Sequence, residues 1–295
     1  MRAGGLIMFE NLISPFVEFE FMRRALVGSI ALSMAGAPVG VFLMLRRMSL
    51  TGDAMAHAIL PGAAIGYLLA GLSLGAMTAG GLIAGIVVAL ASGAVARFTA
   101  LREDATLAAF YLISLALGVT IVSLRGSNVD LLHLLFGSVL ALDDATLLLL
   151  AAISTLTLFI FALLYRPLVM ETLDPGFLAS VSGAGAPTQL IFLCLVVLNL
   201  VGGFHALGTL LAVGIMMLPA AAARLWVADV TLAIAIAMGI GIVASYLGLV
   251  ISYKAGVPSG PVIILVCGGI YLLSLLFGRS SGLIRLLRPR RHLEA

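Results

Sequence analysis

The stretch RRALVGSIALSMAGAPVGVFLMLRRMSLTGDAMAHAILPGAAIGYLL, residues 23–69, contains two long apolar runs separated by a short polar segment. The first run, residues 25–45, has no ionisable side chain and is long enough for a bilayer crossing, which needs about 20 residues. It is longer than the apolar part of a signal peptide, about 7–15 residues, so we predict a helix that stays in the membrane. The second run carries Asp53 and His57, four positions apart in otherwise apolar sequence.

The composition extends this pattern to the whole chain. Of the 295 residues, 62% are hydrophobic and 10% are charged, and the mean hydropathy is +1.24. Soluble proteins average about 25% charged residues. Apolar residues occur in long runs and not in short alternating segments, which favours spanning helices over a β-barrel. We therefore predict an all-α polytopic membrane protein, and the modest net charge of +3 indicates no nucleic-acid partner.

Charged residues and Gly/Pro clusters divide the sequence into apolar runs of membrane-spanning length. We predict about nine transmembrane helices, eight or nine, together with a short re-entrant or interfacial helix at 131–142, which is too short to span. The predicted spans are 22–45, 51–71, 74–97, 104–124, 143–165, 187–204, 206–226, 229–250 and 259–278.

The two ends differ from this membrane domain, which covers residues 22–278. Residues 1–21 form an N-terminal segment in which 9–20 mix apolar side chains with glutamates, typical of a helix lying in the membrane interface or of a frayed acidic leader. Residues 279–295 form a basic tail suited to anionic lipid. Most Arg and Lys residues near helix ends fall on one side if the N-terminus is outside, so we predict a cytoplasmic C-terminus.

Asp53 and His57 need a reason to be inside a membrane span. Residues four apart share a helix face and lie about 6 Å apart along the axis. A carboxylate and a neutral imidazole together suit Zn²⁺, Mn²⁺ or Fe²⁺. Two alternatives stay open: a proton relay, or a structural role in which Asp53 caps the helix and His57 bonds within the bundle.

Two further histidines, His133 and His205, also lie in or beside sequence of membrane depth. Each alone is more typical of a structural residue than of a metal ligand, but their number makes both candidates. Glycine-rich stretches such as AGAPVG predict closely packed helices. Pro61 and two other prolines interrupt apolar helices, and such interruptions often lie beside transport sites.

Motifs for catalysis are missing from the sequence. It has no G-x-x-x-x-G-K-[ST] nucleotide loop, no H-E-x-x-H zinc motif and no G-x-S-x-G nucleophile motif. We therefore expect no enzyme activity in this chain and no cofactor.

Four blocks in order give a resemblance that covers residues 22–278. The stretch 23–69 resembles the opening of the permease subunits of bacterial ABC importers for zinc and manganese, the zinc-uptake permease family. Three later blocks of this sequence match as well: LLHLLFGSVLAL (131–142), LGTLLAVGIMMLPAAAARL (207–225) and VPSGPVIILVCGGIYLLSLLFG (257–278). The most specific element is the arginine pair at 46–47, followed by Gly52-Asp53 and His57.

The resemblance implies an ABC importer permease fold and a homodimer in the bacterial inner membrane. It implies two partners, a periplasmic or surface metal-binding protein and a cytoplasmic ATP-binding subunit. It places Asp53 and His57 on the metal path. It makes residues 170–183 a loop and short helix that dock on the ATPase, with Asp174, Pro175 and Gly183 at the matching positions.

The identity of the cargo stays open between several metals. Imidazole suits Zn²⁺ better than Mn²⁺, so the three candidate histidines favour zinc, with manganese or iron as alternatives. A proton-coupled secondary metal transporter is a further alternative, because an acid and an imidazole can also relay protons.

Overall fold

The computed structural model of the chain describes residues 12–71, 73–99, 103–124, 139–182, 185–280 and 282. Regular structure in these residues is helical throughout, which confirms the all-α prediction. The helices are α1 (12–18), α2 (Glu20–Leu45), α3 (Thr51–Ala58), α4 (Leu60–Ala70), α5 (Leu74–Phe98), α6 (Glu103–Leu124), α7 (Asp144–Leu173), α8 (Pro175–Ser182), α9 (Gly185–Leu207), α10 (Thr209–Trp226), α11 (Val230–Ala255) and α12 (Ser259–Phe277).

Eight spans in the described chain are long and apolar enough to cross a membrane, with α3 and α4 counted together as Thr51–Ala70. Helix α6 is 22 residues long and contains a shorter apolar part, Ala105–Ile121. The nine predicted apolar runs coincide with these eight spans and α6. The prediction of eight or nine membrane helices is thereby confirmed.

The structure corrects the predicted end of α7. Helix α7 runs to Leu173, past the predicted end at residue 165, because Pro167 does not stop it and Leu168 is fully buried beyond that proline. At 30 residues, about 45 Å, α7 is longer than the hydrocarbon core. The predicted span 51–71 is two helices, α3 and α4, which meet at Ile59, close to the interruption predicted at Pro61.

Helix α2 lies at the centre of the bundle, packed against α7, α10 and α11. Its glycine-rich part faces α10: a Cβ atom on Gly36 would meet Met216 at 3.6 Å, and one on Gly40 would collide with the Met216 carbonyl. Close helix packing at glycine, as the sequence predicts, is therefore present here.

The predicted N-terminal segment is helical in its described part, residues 12–18. Phe16 stacks on Tyr246 of α11 at a centroid distance of 5.2 Å, and the Tyr246 hydroxyl donates to the Leu12 carbonyl at 3.0 Å. These contacts attach α1 to the bundle, and its location in the membrane interface stays a prediction.

Two other predicted segments lie largely outside the described residues. Of the predicted short helix at 131–142, the described part is a 3₁₀ turn, Val139–Ala141, followed by the buried Leu142. The turn packs against α2 and α12. Most of the basic tail, 279–295, is also outside the described residues.

Candidate functional site

Asp53 and His57 lie together on α3, as their spacing predicts. The Oδ1 atom of Asp53 and the Nε2 atom of His57 are 3.8 Å apart. This separation exceeds that of a hydrogen bond, about 2.7–3.2 Å. Two metal–ligand bonds of about 2.0–2.2 Å each can span it, so one ion can contact both side chains.

The carboxylate of Asp53 lies in the first turn of α3, where the helix dipole favours a negative charge. The N-cap residue of α3 is Leu50, and no side chain caps this end. The alternative in which Asp53 serves as the helix cap is therefore wrong. Its carboxylate is available to a ligand.

A break in the span follows His57 directly. Pro61 has no N–H group, so it cannot bond to the His57 carbonyl as a residue four positions on would in a continuous helix. The His57 carbonyl accepts the N–H of Ile59 instead, and α4 begins at Leu60. Ile59 keeps helical dihedral angles, φ −72° and ψ −29°, so the interruption predicted at Pro61 is a missing helical hydrogen bond one turn from the imidazole. Backbone groups freed in this way in a membrane helix often lie beside ion and substrate sites.

The two side chains differ in exposure on the single chain. Asp53 is 66% exposed and His57 is 27% exposed. The ring of Tyr111 in α6 lies 6.3 Å from the imidazole, and the buried Nδ1 atom of His57 has no hydrogen-bond partner. A carboxylate at membrane depth is costly against lipid, so this face requires another protein surface or water.

Helix α3 is held near the middle of the bundle. The Ser114 hydroxyl, close to the midpoint of α6, donates to the Ala58 carbonyl at 2.9 Å. A Cβ atom on Gly52 would lie 2.8 Å from the Met216 side chain of α10. Contacts with α6 and α10 therefore place Asp53 and His57 close to the midpoints of these two helices.

The structure keeps His205 apart from the Asp53–His57 pair. His205 lies near the end of α9, where its Nδ1 atom is 3.0 Å from the Val201 carbonyl and its ring meets Phe204 edge-on at 5.1 Å. Its buried Nε2 atom has no hydrogen-bond partner. Within the described ranges, no group of three or more His, Cys, Asp and Glu residues could hold a metal ion. His133 lies outside those ranges.

The short helix expected near residue 175 is present as α8. The Oδ1 atom of Asp174 accepts the backbone N–H of Phe177 at 2.9 Å, so Asp174 caps the start of this helix. Phe177 is 52% exposed. Pro175 is the first residue of α8, and Gly183 is outside the described residues. The docking role of this segment stays a prediction.

Sequence reasoning missed the residues that support these two sites. Tyr111 approaches His57 from a helix that begins 46 positions after it in the chain, at Glu103, and nothing in the sequence pairs them. The sequence identifies Arg46 only as part of the arginine pair at 46–47. In the structure, Arg46 contacts Thr172 near α8. A contact between distant helices leaves no local sequence signal.

The chain is similar to a known protein family and to known proteins. The model of the ABC 3 transport family matches residues 18–278. Two curated relatives are the manganese transport system membrane protein MntC of Halalkalibacterium halodurans and the manganese import system permease protein ScaB of Streptococcus gordonii. The first is 31% identical, over 94% of this chain and 92% of the relative. The second is 32% identical, over 90% of this chain and 95% of the relative.

A solved structure has the same fold. PsaBC from Streptococcus pneumoniae, in complex with a Fab, aligns with a TM-score of 0.83 and 27% sequence identity. The alignment covers 95% of this chain and 100% of that one. The similarity therefore extends over nearly the whole chain.

Proposed function

The chain belongs to the ABC 3 transport family, and from that premise we propose that it is the membrane-spanning permease subunit of an ATP-driven importer of divalent transition-metal ions. The observation that carries the proposal is the 3.8 Å separation of Asp53 and His57 on an interrupted membrane helix. An oxygen and a nitrogen donor at this distance offer a divalent cation a replacement for part of its hydration shell.

We propose Mn²⁺ beside Zn²⁺ as the cargo. The three candidate histidines in the sequence favour zinc as the cargo. Among the described residues, however, only His57 lies beside a carboxylate. A set of one oxygen and one nitrogen suits Mn²⁺ as well as Zn²⁺. The relatives named above are manganese transport proteins, which supports Mn²⁺ further.

We propose that the exposed side of Asp53 lines the path of the metal ion. A second copy of the chain facing it would shield the carboxylate from lipid and leave a polar passage between the copies. The ion would pass Asp53 and His57, held strongly enough to lose water and weakly enough to be released. His205 and His133 would contact the ion at other points along this path.

Two partners complete the proposed importer. A cytoplasmic ATP-binding subunit would dock on α8, where Asp174 caps the helix and Phe177 is exposed. A periplasmic or surface metal-binding protein would deliver the ion on the other side. Hydrolysis of ATP is assigned to the partner, since the sequence has no nucleotide loop.

Reconstitution in liposomes tests this proposal. With the ATP-binding subunit and the metal-binding protein present, we expect accumulation of Mn²⁺ or Zn²⁺ that requires MgATP. The chain alone, under a pH gradient without ATP, should accumulate neither metal. Uptake driven by the pH gradient alone would contradict the proposal and support a proton-coupled secondary transporter.

A further inference from the structure

The side chain of Arg46 reaches from the end of α2 to two other helices. Its Nε atom donates to the Thr172 hydroxyl oxygen in α7 at 3.3 Å. Its guanidinium carbon lies 4.7 Å from the centroid of the Phe192 ring in α9, a favourable distance for a cation over an aromatic face. Phe192 is fully buried beside Phe42 and Phe161, so it is a firm support.

Thr172 lies two residues before Asp174, the cap of α8. The Thr172 hydroxyl donates to the Leu168 carbonyl at 2.7 Å, which leaves its oxygen free to accept from Arg46. Arg46 therefore holds the last turn of α7. A displacement of α8 passes through that turn, because a single residue separates the two helices.

The backbone after Arg46 is a tight and ordered turn. The N–H of Met48 bonds to the Leu43 carbonyl at 2.9 Å and that of Arg47 bonds to the Met44 carbonyl at 3.1 Å, the pattern of a Schellman motif. Arg47 has φ +60°, the one positive φ among the described residues other than glycine. Such a conformation is costly for a residue with a side chain and is typical of switch regions.

The turn leads directly into the helix of the metal site. The N–H of Thr51 bonds to the Met48 carbonyl at 3.0 Å, and α3 begins at Thr51, two residues before Asp53. Because the N–H groups of Arg47, Met48 and Thr51 are all hydrogen-bonded, the turn is short and ordered, and a movement of Arg46 is passed on to α3.

We propose that Arg46 is a positioning residue that links the end of α7, beside α8, to the helix that carries Asp53 and His57. The inference rests on the proposed function. When the ATP-binding subunit moves α8, the contact of Arg46 with Thr172 carries the movement into the turn 46–50, and α3 changes the access to the metal site.

The test compares three variants of the complete complex in proteoliposomes, with Mn²⁺ or Zn²⁺, whichever the wild-type complex imports, as the transported probe. Arg46→Ala removes the contacts of the guanidinium with Thr172 and Phe192. Thr172→Val removes only the hydroxyl and keeps the volume of the side chain. Arg166→Ala is the matched control, because it removes an equal charge from an exposed position of α7 that lies outside the turn 46–50. The readout is the number of metal ions imported per ATP hydrolysed.

We expect this ratio to fall about tenfold in Arg46→Ala and Thr172→Val, the scale of a lost hydrogen bond to a charged group, with ATP hydrolysis within about twofold of the wild type. Arg46→Lys should recover part of the ratio, since an ammonium group can also donate to Thr172. The Arg166→Ala ratio should equal that of the wild type.

A ratio unchanged in Arg46→Ala and Thr172→Val would overturn the inference, as would uptake and hydrolysis that fall together. If Arg46→Ala does not fold, Thr172→Val decides the question. A wild-type complex without ATP-dependent uptake would instead contradict the proposed function.

Discussion

The Nε2 atom of His57 lies 3.8 Å from the Oδ1 atom of Asp53, too far for a hydrogen bond and close enough for one bridging cation. The pair is held on a helix of eight residues that ends directly after the imidazole. The surrounding helices must therefore keep α3 and α4 in place for the two donors to stay at this distance.

The contact of Gly62 with Gly80 fixes α4 against α5. A Cβ atom on either glycine would collide with the carbonyl oxygen of the other. We expect Gly80→Val to force the two helices apart and to lower the free energy of unfolding by about 1–3 kcal/mol. Gly93→Val, on the same helix with open space around it, is the control. Thermal melting in detergent measures both, and equal melting temperatures would refute the close packing.

The cap of α8 gives a prediction about the partner subunit. Asp174→Ala removes the bond to the Phe177 N–H and should destabilise the start of α8 by about 1 kcal/mol. We expect co-purification of the ATP-binding subunit to decrease at least threefold. Asp229→Ala is the control, because Asp229 caps α11 through the Leu232 N–H at 2.7 Å and lies on the same predicted side. Equal loss of the subunit in both variants would contradict a docking role for α8.

A prediction about metal preference follows from His205. Imidazole binds Zn²⁺ better than Mn²⁺, and the Nε2 atom of His205 is buried without a partner. If His205 lies on the path, His205→Ala should raise the half-saturating concentration of Zn²⁺ about tenfold or more and change that of Mn²⁺ less than threefold. Competition between the two metals in the same uptake assay measures the change. Equal effects on both metals would assign His205 a structural role.

Much of the fold can be predicted from local sequence, but only part of the site can. Runs such as residues 25–45 predict spans because length and hydropathy are local quantities, and the spacing of Asp53 and His57 places them on one face. The extension of α7 past Pro167 was not predictable in this way, because the burial of Leu168 depends on neighbouring helices. The contact of Arg46 with Thr172 joins residues 126 positions apart and has no sequence signal.

The junction of α3 and α4 at Ile59 is likewise only partly predictable from local sequence. Pro61 predicts an interruption of the helix, since it cannot donate a backbone hydrogen bond. That α3 is a separate short helix depends on its contacts, such as the bond of the Ser114 hydroxyl to the Ala58 carbonyl. Sequence therefore located the interruption, and packing decided how the two halves are arranged.

The central claim is that Asp53 and His57 hold the transported cation, and uptake of Mn²⁺ and Zn²⁺ by proteoliposomes of the complete complex tests it most directly. Asp53→Leu and His57→Phe keep the approximate volume of each side chain and remove its metal-binding donor. We expect uptake of the transported metal to fall at least a hundredfold in each variant, with membrane insertion and assembly with the ATP-binding subunit unchanged. Uptake at the wild-type rate in both variants would contradict the account.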